Sequence, residues 1–197
     1  MIPHYVDTKA EVLPLVKRLL KKGDTVAVGG SVTLSETGIM ELLQSGEYTF
    51  LDRYAPNLTP DERHDIFVRS MKADAYLCSA NAITLQGELY NVDGNANRVA
   101  AIAFGPERVI LVVGVQKIVE DMAQAVKRVK TIAAPMNAKR LNCDTYCNKN
   151  GHCLCADGAM TEGCNSPARI CCSYLVTGFQ RNPERIQVIL VGEPCGY

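Results

Sequence analysis

Apolar and polar positions along the first 135 residues switch between two periods, one helical and one extended. In "DTKAEVLPLVKRLLKK" (7–22), Val12, Leu15, Val16, Leu19 and Leu20 fall on one helical stripe. Thr8 and Glu11 have the spacing of a capping box there, and Pro14 kinks the helix or delays its start. "TVAV" (25–28) reads as a short buried strand, and "SETGIMELLQSG" (35–46) as a helix that Gly46 stops. "YTFLD" (48–52) is the next strand. The helix "TPDERHDIFVRSMK" (59–72) follows, with Thr59 as N-cap, Pro60 in the first turn and Glu62 completing a second box. "ADAYLCSA" (73–80), "ELYNV" (88–92) and "RVILVVG" (108–114) read as strands, with a short helix in "NRVAAIAFG" (97–105). Ile118, Val119, Met122, Val126, Val129 and Ile132 mark the stripe of a long helix, and "RIQVILVG" (185–192) is the final strand.

Apolar runs such as "VILVV" without polar alternation suit strands covered on both faces. The pattern predicts an α/β fold with a mostly parallel sheet between helical layers, and a single domain over residues 1–197. One segment breaks the rhythm, a Cys-rich loop inserted before the last strand.

Composition narrows the functional classes. The chain is 47% hydrophobic and 21% charged, and its 21 basic residues match its 21 acidic ones. No net field draws it to nucleic acid or an anionic membrane, so the expected partner is a small molecule or another protein, including a further copy of the chain. The N-terminus lacks the signature of a secretory signal, and no stretch approaches the length of a membrane span. A cytoplasmic location with no membrane span is the expectation.

That expectation changes what the cysteines mean. Seven of the nine lie between Leu141 and Cys172. In a reducing compartment such clustering points to metal binding or redox chemistry, and an odd total argues further against a disulfide framework.

Two other segments carry candidate chemistry. In "VAVGGSVTLSETG" (26–38), a buried strand ends in Gly29 and Gly30 and passes through Ser31 and Thr33 towards Glu36. The glycines allow close backbone approach, and hydroxyls beside a helix start suit a phosphate or carboxylate; a plain turn capped by Ser35 explains the same residues equally well. The second segment, "SANAITLQGELYNVDGNANRVAA" (79–101), carries Asn81, Glu88, Asn91, Asp93, Asn95, Asn97 and Arg98. Ligands in α/β sheets bind beyond the carboxyl ends of strands, where Arg98 could grip a carboxylate bidentately and share one pocket with the glycine turn. Ordinary turn chemistry, with Asn97 as an N-cap, is the alternative. His4 and His64 read as solvated, and His152 as a possible donor only because it adjoins Cys153.

The stretches "VAVGGSVTLSETGIMELL", "LDRY", "SANAITLQGELYNVDGNANRVAAIAFGPERVILVVGVQKIV" and "ERIQVILVGEP" resemble the LUD family, named for lactate utilization. The resemblance covers nearly the whole chain. It implies a fold like the sugar-phosphate isomerases and CoA transferases, with residues 25–40 facing the ligand. It also implies a link to oxidation of lactate or a similar 2-hydroxy acid, often alongside iron–sulfur proteins. The chain begins at what resembles the family's first strand, without the helix that commonly precedes it.

Several family members are similar in the thiol segment too, and their pattern falls here on Cys147, Cys153, Cys164 and Cys171. Tyr146 stands where those members have proline, and "LCADGAMTEG" with Cys155 is extra material. Four thiolates suit an iron–sulfur cluster, [4Fe–4S] for choice, or a tetrahedral zinc. Separations of five, ten and six residues lack the paired knuckles of a zinc ribbon and lean towards the cluster. Two readings follow. The first is an iron–sulfur oxidoreductase component that binds a small carboxylate and meets a redox protein partner. The second is a non-catalytic binding module with a zinc or redox-sensing clasp. Outside the thiol segment, Cys78 is expected to be buried and inert, and Cys195 to lie in a flexible terminus away from any metal.

Overall fold

The structure is a computed structural model covering residues 1–197. In chain order it forms β1 (Ile2–Val6), α1 (Val12–Leu19), β2 (Thr25–Val28), α2 (Val32–Glu36), α3 (Ile39–Gln44), β3 (Thr49–Leu51), α4 (Pro60–Ser70), β4 (Ala75–Cys78), β5 (Ala82–Thr84) and β6 (Leu89–Asp93). There follow α5 (Asn97–Ala103), β7 (Arg108–Gly114), β8 (Ile118–Val119), α6 (Met122–Arg128), α7 (Ala134–Arg140), α8 (Tyr146–Asn150), β9 (Ser173–Thr177) and β10 (Ile186–Val191). The chain divides into two compact units: residues 1–79, 100–116 and 179–196 form the first, and residues 80–99, 117–178 and 197 the second.

The first unit holds a six-stranded sheet in the order β1-β10-β7-β4-β2-β3, parallel throughout. Val26, Val28, Ala75, Leu77, Ile110, Val112, Ile189 and Val191 alternate onto one face and bury it against the apolar stripes of α1, α2 and α3. This is the mostly parallel, helix-flanked α/β architecture that the unbroken apolar runs imply. Both expected capping boxes form, at Thr8 with Glu11 and at Thr59 with Glu62. Pro14 delays its helix rather than bending it: a 3-10 turn spans Lys9–Glu11, and the α-helix starts only at Val12.

The second unit is built on a smaller sheet, β8-β5-β6-β9, in which β6 runs antiparallel to both of its neighbours. "ELYNV" belongs to this sheet and not to the parallel one. Two helical expectations change. The helix expected over 35–46 is two helices, because Gly38 adopts a left-handed φ of 72° between them. Ile118 and Val119 leave the expected long helix to pair with Ile83 and Thr84 as β8, and the helix starts at Met122 with Asp121 as its N-cap. That helix then passes through a π-helical turn, Val129–Ala133, into α7. Pro135 explains the widened turn, since proline lacks an N–H and its ring crowds the carbonyl four residues earlier.

Candidate functional site

In the first unit the glycine turn leaves the carboxyl end of β2, and Gly29 donates its N–H to the Leu77 carbonyl at 2.9 Å. Ser31 is the N-cap residue of α2, a helix of only five residues. Thr33 is fully buried, and its hydroxyl donates to the Cys195 carbonyl at 3.3 Å. Glu36 accepts the N–H of Gly196 at 2.9 Å. Gln116 grips the same segment, donating to the carbonyls of Cys195 at 2.8 Å and Gly196 at 3.0 Å and accepting the Cys195 N–H at 3.3 Å. Two of the residues expected to meet a ligand therefore meet the chain's own C-terminal segment. Cys195 is 1% exposed, so the expectation of a flexible surroundings for it is corrected.

The Asn/Arg segment lies in the second unit. Asn81, just before β5, donates its N–H to the Tyr90 carbonyl at 3.0 Å, and its side-chain oxygen accepts from the Val92 N–H at 2.8 Å and from the Arg98 guanidinium at 3.0 Å. Arg98 also donates to the Val92 carbonyl at 2.6 Å. Asp93 does the work that the sequence suggested for Asn97: its carboxylate accepts the N–H groups of Arg98 at 2.8 Å and Val99 at 3.4 Å, capping α5. Asn97 itself is the first helical residue. Glu88 turns back to Thr84 at 2.9 Å. Sequence reasoning missed three buried cations in this unit, Lys117, Arg128 and Lys130, of which Arg128 donates to the Asn81 carbonyl at 2.6 Å. With Arg98 they make the buried charged residues of this unit all basic. Isolated basic residues in a mixed helix carry no signal that they point inward.

Cys147, Cys153, Cys164 and Cys171 all line a single cavity of about 30 Å³ in the second unit, together with Tyr90, Met160, Arg169 and Tyr174. Cys147 is set by α8, where Thr145 caps the helix and its hydroxyl lies 3.3 Å from the thiol. Burial pushes the Cys171 thiol up to about 12; the neighbouring Cys147, Cys153 and Cys164 thiols add to this, and the Arg169 guanidinium opposes it. Burial, with Cys147 beside it, also raises the Cys143 thiol. Tyr90, on β6, is raised by burial and by Tyr174 and Cys171. Cys172 is exposed, and His152 is exposed too, held by the Asn150 carbonyl at 2.9 Å.

A single zinc needs its thiolates about 2.3 Å from one point. No group of three or more His, Cys, Asp or Glu side chains is gathered closely enough to hold a metal ion.

The chain belongs to the LUD domain family, whose model matches residues 1–191. Its fold is similar to the crystal structure, at 1.70 Å, of a DUF162 family protein from Deinococcus radiodurans; that match has 18% identity and a TM-score of 0.50, and spans 96% of this chain and 87% of the other. A weaker likeness, with 18% identity and a TM-score of 0.38, spans 60% of this chain and 50% of eIF2B delta from Chaetomium thermophilum. No curated protein matches the chain. No helix is long and apolar enough to cross a membrane.

Proposed function

We propose that this LUD-domain protein is an iron–sulfur component in the utilization of lactate or a related 2-hydroxy acid, with Cys147, Cys153, Cys164 and Cys171 as the ligands of a [4Fe–4S] cluster. The observation that carries the reading is that these four thiols, scattered over 25 residues of sequence, line one cavity. When bound, such a cluster supplies one-electron transfer. The chain's own residues do the rest: Tyr90, Met160 and Tyr174 wall the thiols, and α8 holds Cys147 in place. The family's association with lactate utilization is what points to a 2-hydroxy acid as the electron donor. Oxidation of such an acid to the 2-keto acid releases two electrons and two protons, so a redox protein partner that takes electrons singly completes the balance.

Anaerobic purification, visible spectroscopy and analysis of iron, sulfide and zinc test the proposal. The expected result is about four irons and four sulfides per chain. Stoichiometric zinc with no sulfide would favour the zinc clasp on a binding module, and neither metal would remove the cofactor altogether.

A further inference from the structure

Two cations outside the proposed ligand set hold the backbone of the thiol segment. Lys130 lies in the π-helical turn and is 5% exposed. Its ammonium donates to three carbonyls, Cys155 at 2.8 Å, Gly158 at 3.0 Å and Ala159 at 2.6 Å, which uses all three of its donors. Its own carbonyl accepts the Cys153 N–H at 2.9 Å. Arg169 holds the other end. It donates to the carbonyls of Cys171 at 2.9 Å, Cys164 at 3.1 Å and Thr161 at 2.7 Å, and to the Tyr174 hydroxyl at 2.9 Å. The Tyr174 hydroxyl in turn donates to the Cys171 carbonyl at 2.8 Å. Gly163 leaves room for the guanidinium, since a Cβ there would stand 3.0 Å from the Arg169 Cζ.

Three of the four proposed ligand residues are thus fixed through their backbone by Lys130 or Arg169, while α8 fixes the fourth. Charge-assisted bonds to carbonyls leave every thiol available, which is what a site must do if it is to be shaped before its cofactor arrives. We infer that Lys130 and Arg169 are positioning residues that hold the thiol loop in a cofactor-receiving shape in the empty protein, and that Arg169 also supplies positive charge beside the bound group. The inference rests on the four-thiol reading above, and it concerns residues that make no bond to the cofactor.

Two measurements separate this inference from that reading. The first is hydrogen exchange on the metal-free, reduced protein. The amides of Cys153, Gly158, Glu162 and Arg169, which donate to backbone carbonyls, should be protected in the wild type. Arg169→Gln should speed exchange over 161–171, and Lys130→Met over 153–159, by about tenfold or more, with Arg169→Lys restoring part of the protection. A loop that exchanges freely in the wild type overturns the inference whatever the iron analysis says. A protected loop that takes up no iron overturns the cluster reading and leaves the clamp standing. The second measurement is the reduction potential of the reconstituted protein. Loss of a positive charge destabilises the more negative reduced state, so Arg169→Gln should lower the potential and Arg169→Lys should keep it near the wild-type value. An unchanged potential in Arg169→Gln removes the electrostatic half. Arg169 is only partly buried, so its variants remain informative even if Lys130→Met does not fold.

Discussion

Cys172 donates its backbone N–H to the Asp93 carbonyl at 2.9 Å, which stitches the end of the thiol segment to the interior of the Asn/Arg segment. The β6–β9 pairing extends the seam, with Asp93 opposite Ser173 and Val92 opposite Tyr174. Two segments that the sequence presents as separate candidates share one edge of the second unit.

The seam makes Gly94 a sensitive position. A Cβ built there stands 3.3 Å from the Cα of Ile170, which is backbone and has little room to move. Gly94→Val should destabilise the protein by about 1–3 kcal/mol, as overpacking does, with a smaller loss for Gly94→Ala. Because Ile170 adjoins Cys171, the same variant should also retain less iron. Urea unfolding under reducing conditions checks the first point; a midpoint equal to that of the wild type would count against the tight seam.

Asp93 is expected to act through stability. Its carboxylate caps α5, so Asp93→Ala should cost about 1 kcal/mol and Asp93→Asn much less. If Asp93 served a ligand alone, both variants would unfold like the wild type, and only binding would change.

The thiols should divide by reactivity in the native, metal-free protein. Cys172 is exposed, whereas Cys78 and Cys195 are 0% and 1% exposed. An alkylating probe should reach Cys172 first and the other two last. Gln116→Ala removes three of the bonds holding the C-terminal segment and should speed the labelling of Cys195 by about tenfold or more while leaving Cys78 slow. Equal labelling of Cys195 in variant and wild type would show that Gln116 does not hold the segment closed.

Most of the main sheet was readable because β2, β4 and β7 carry unbroken apolar runs and β10 is interrupted only by Gln187, whereas β1, with Pro3 and His4, shows no such run. The second sheet was harder to read. β5 has three residues and β8 two, too short for a period to declare itself, and β8 continues the apolar stripe of the helix that follows it. β9 carries no fully buried side chain. The thiol segment stands out because cysteine is rare and chemically distinct, whereas the choice of four thiols among its seven came from the resemblance to the family. Lys130 and Arg169 do not stand out, since their partners are backbone carbonyls, and every residue has one.

The ligand assignment yields the sharpest test. Removing one thiolate from a cluster leaves an iron corner without its protein ligand, and serine, though similar in size, is a poorer ligand for it. Single Ser replacements at Cys147, Cys153, Cys164 or Cys171 should each lower iron and sulfide content or yield a cluster that decays faster, with Cys78→Ser and Cys195→Ser as controls that keep both. With all four thiolates in place no iron is open to a substrate, so adding lactate or pyruvate should leave the electron paramagnetic resonance spectrum of the reduced protein nearly unchanged. A large substrate-induced shift would instead mean that an iron is open and acts as a Lewis acid. If all four Ser variants kept full iron and sulfide, the ligands would have to be sought among Cys143, Cys155 and Cys172, of which Cys143 already lies close enough to Cys147 to be perturbed by it.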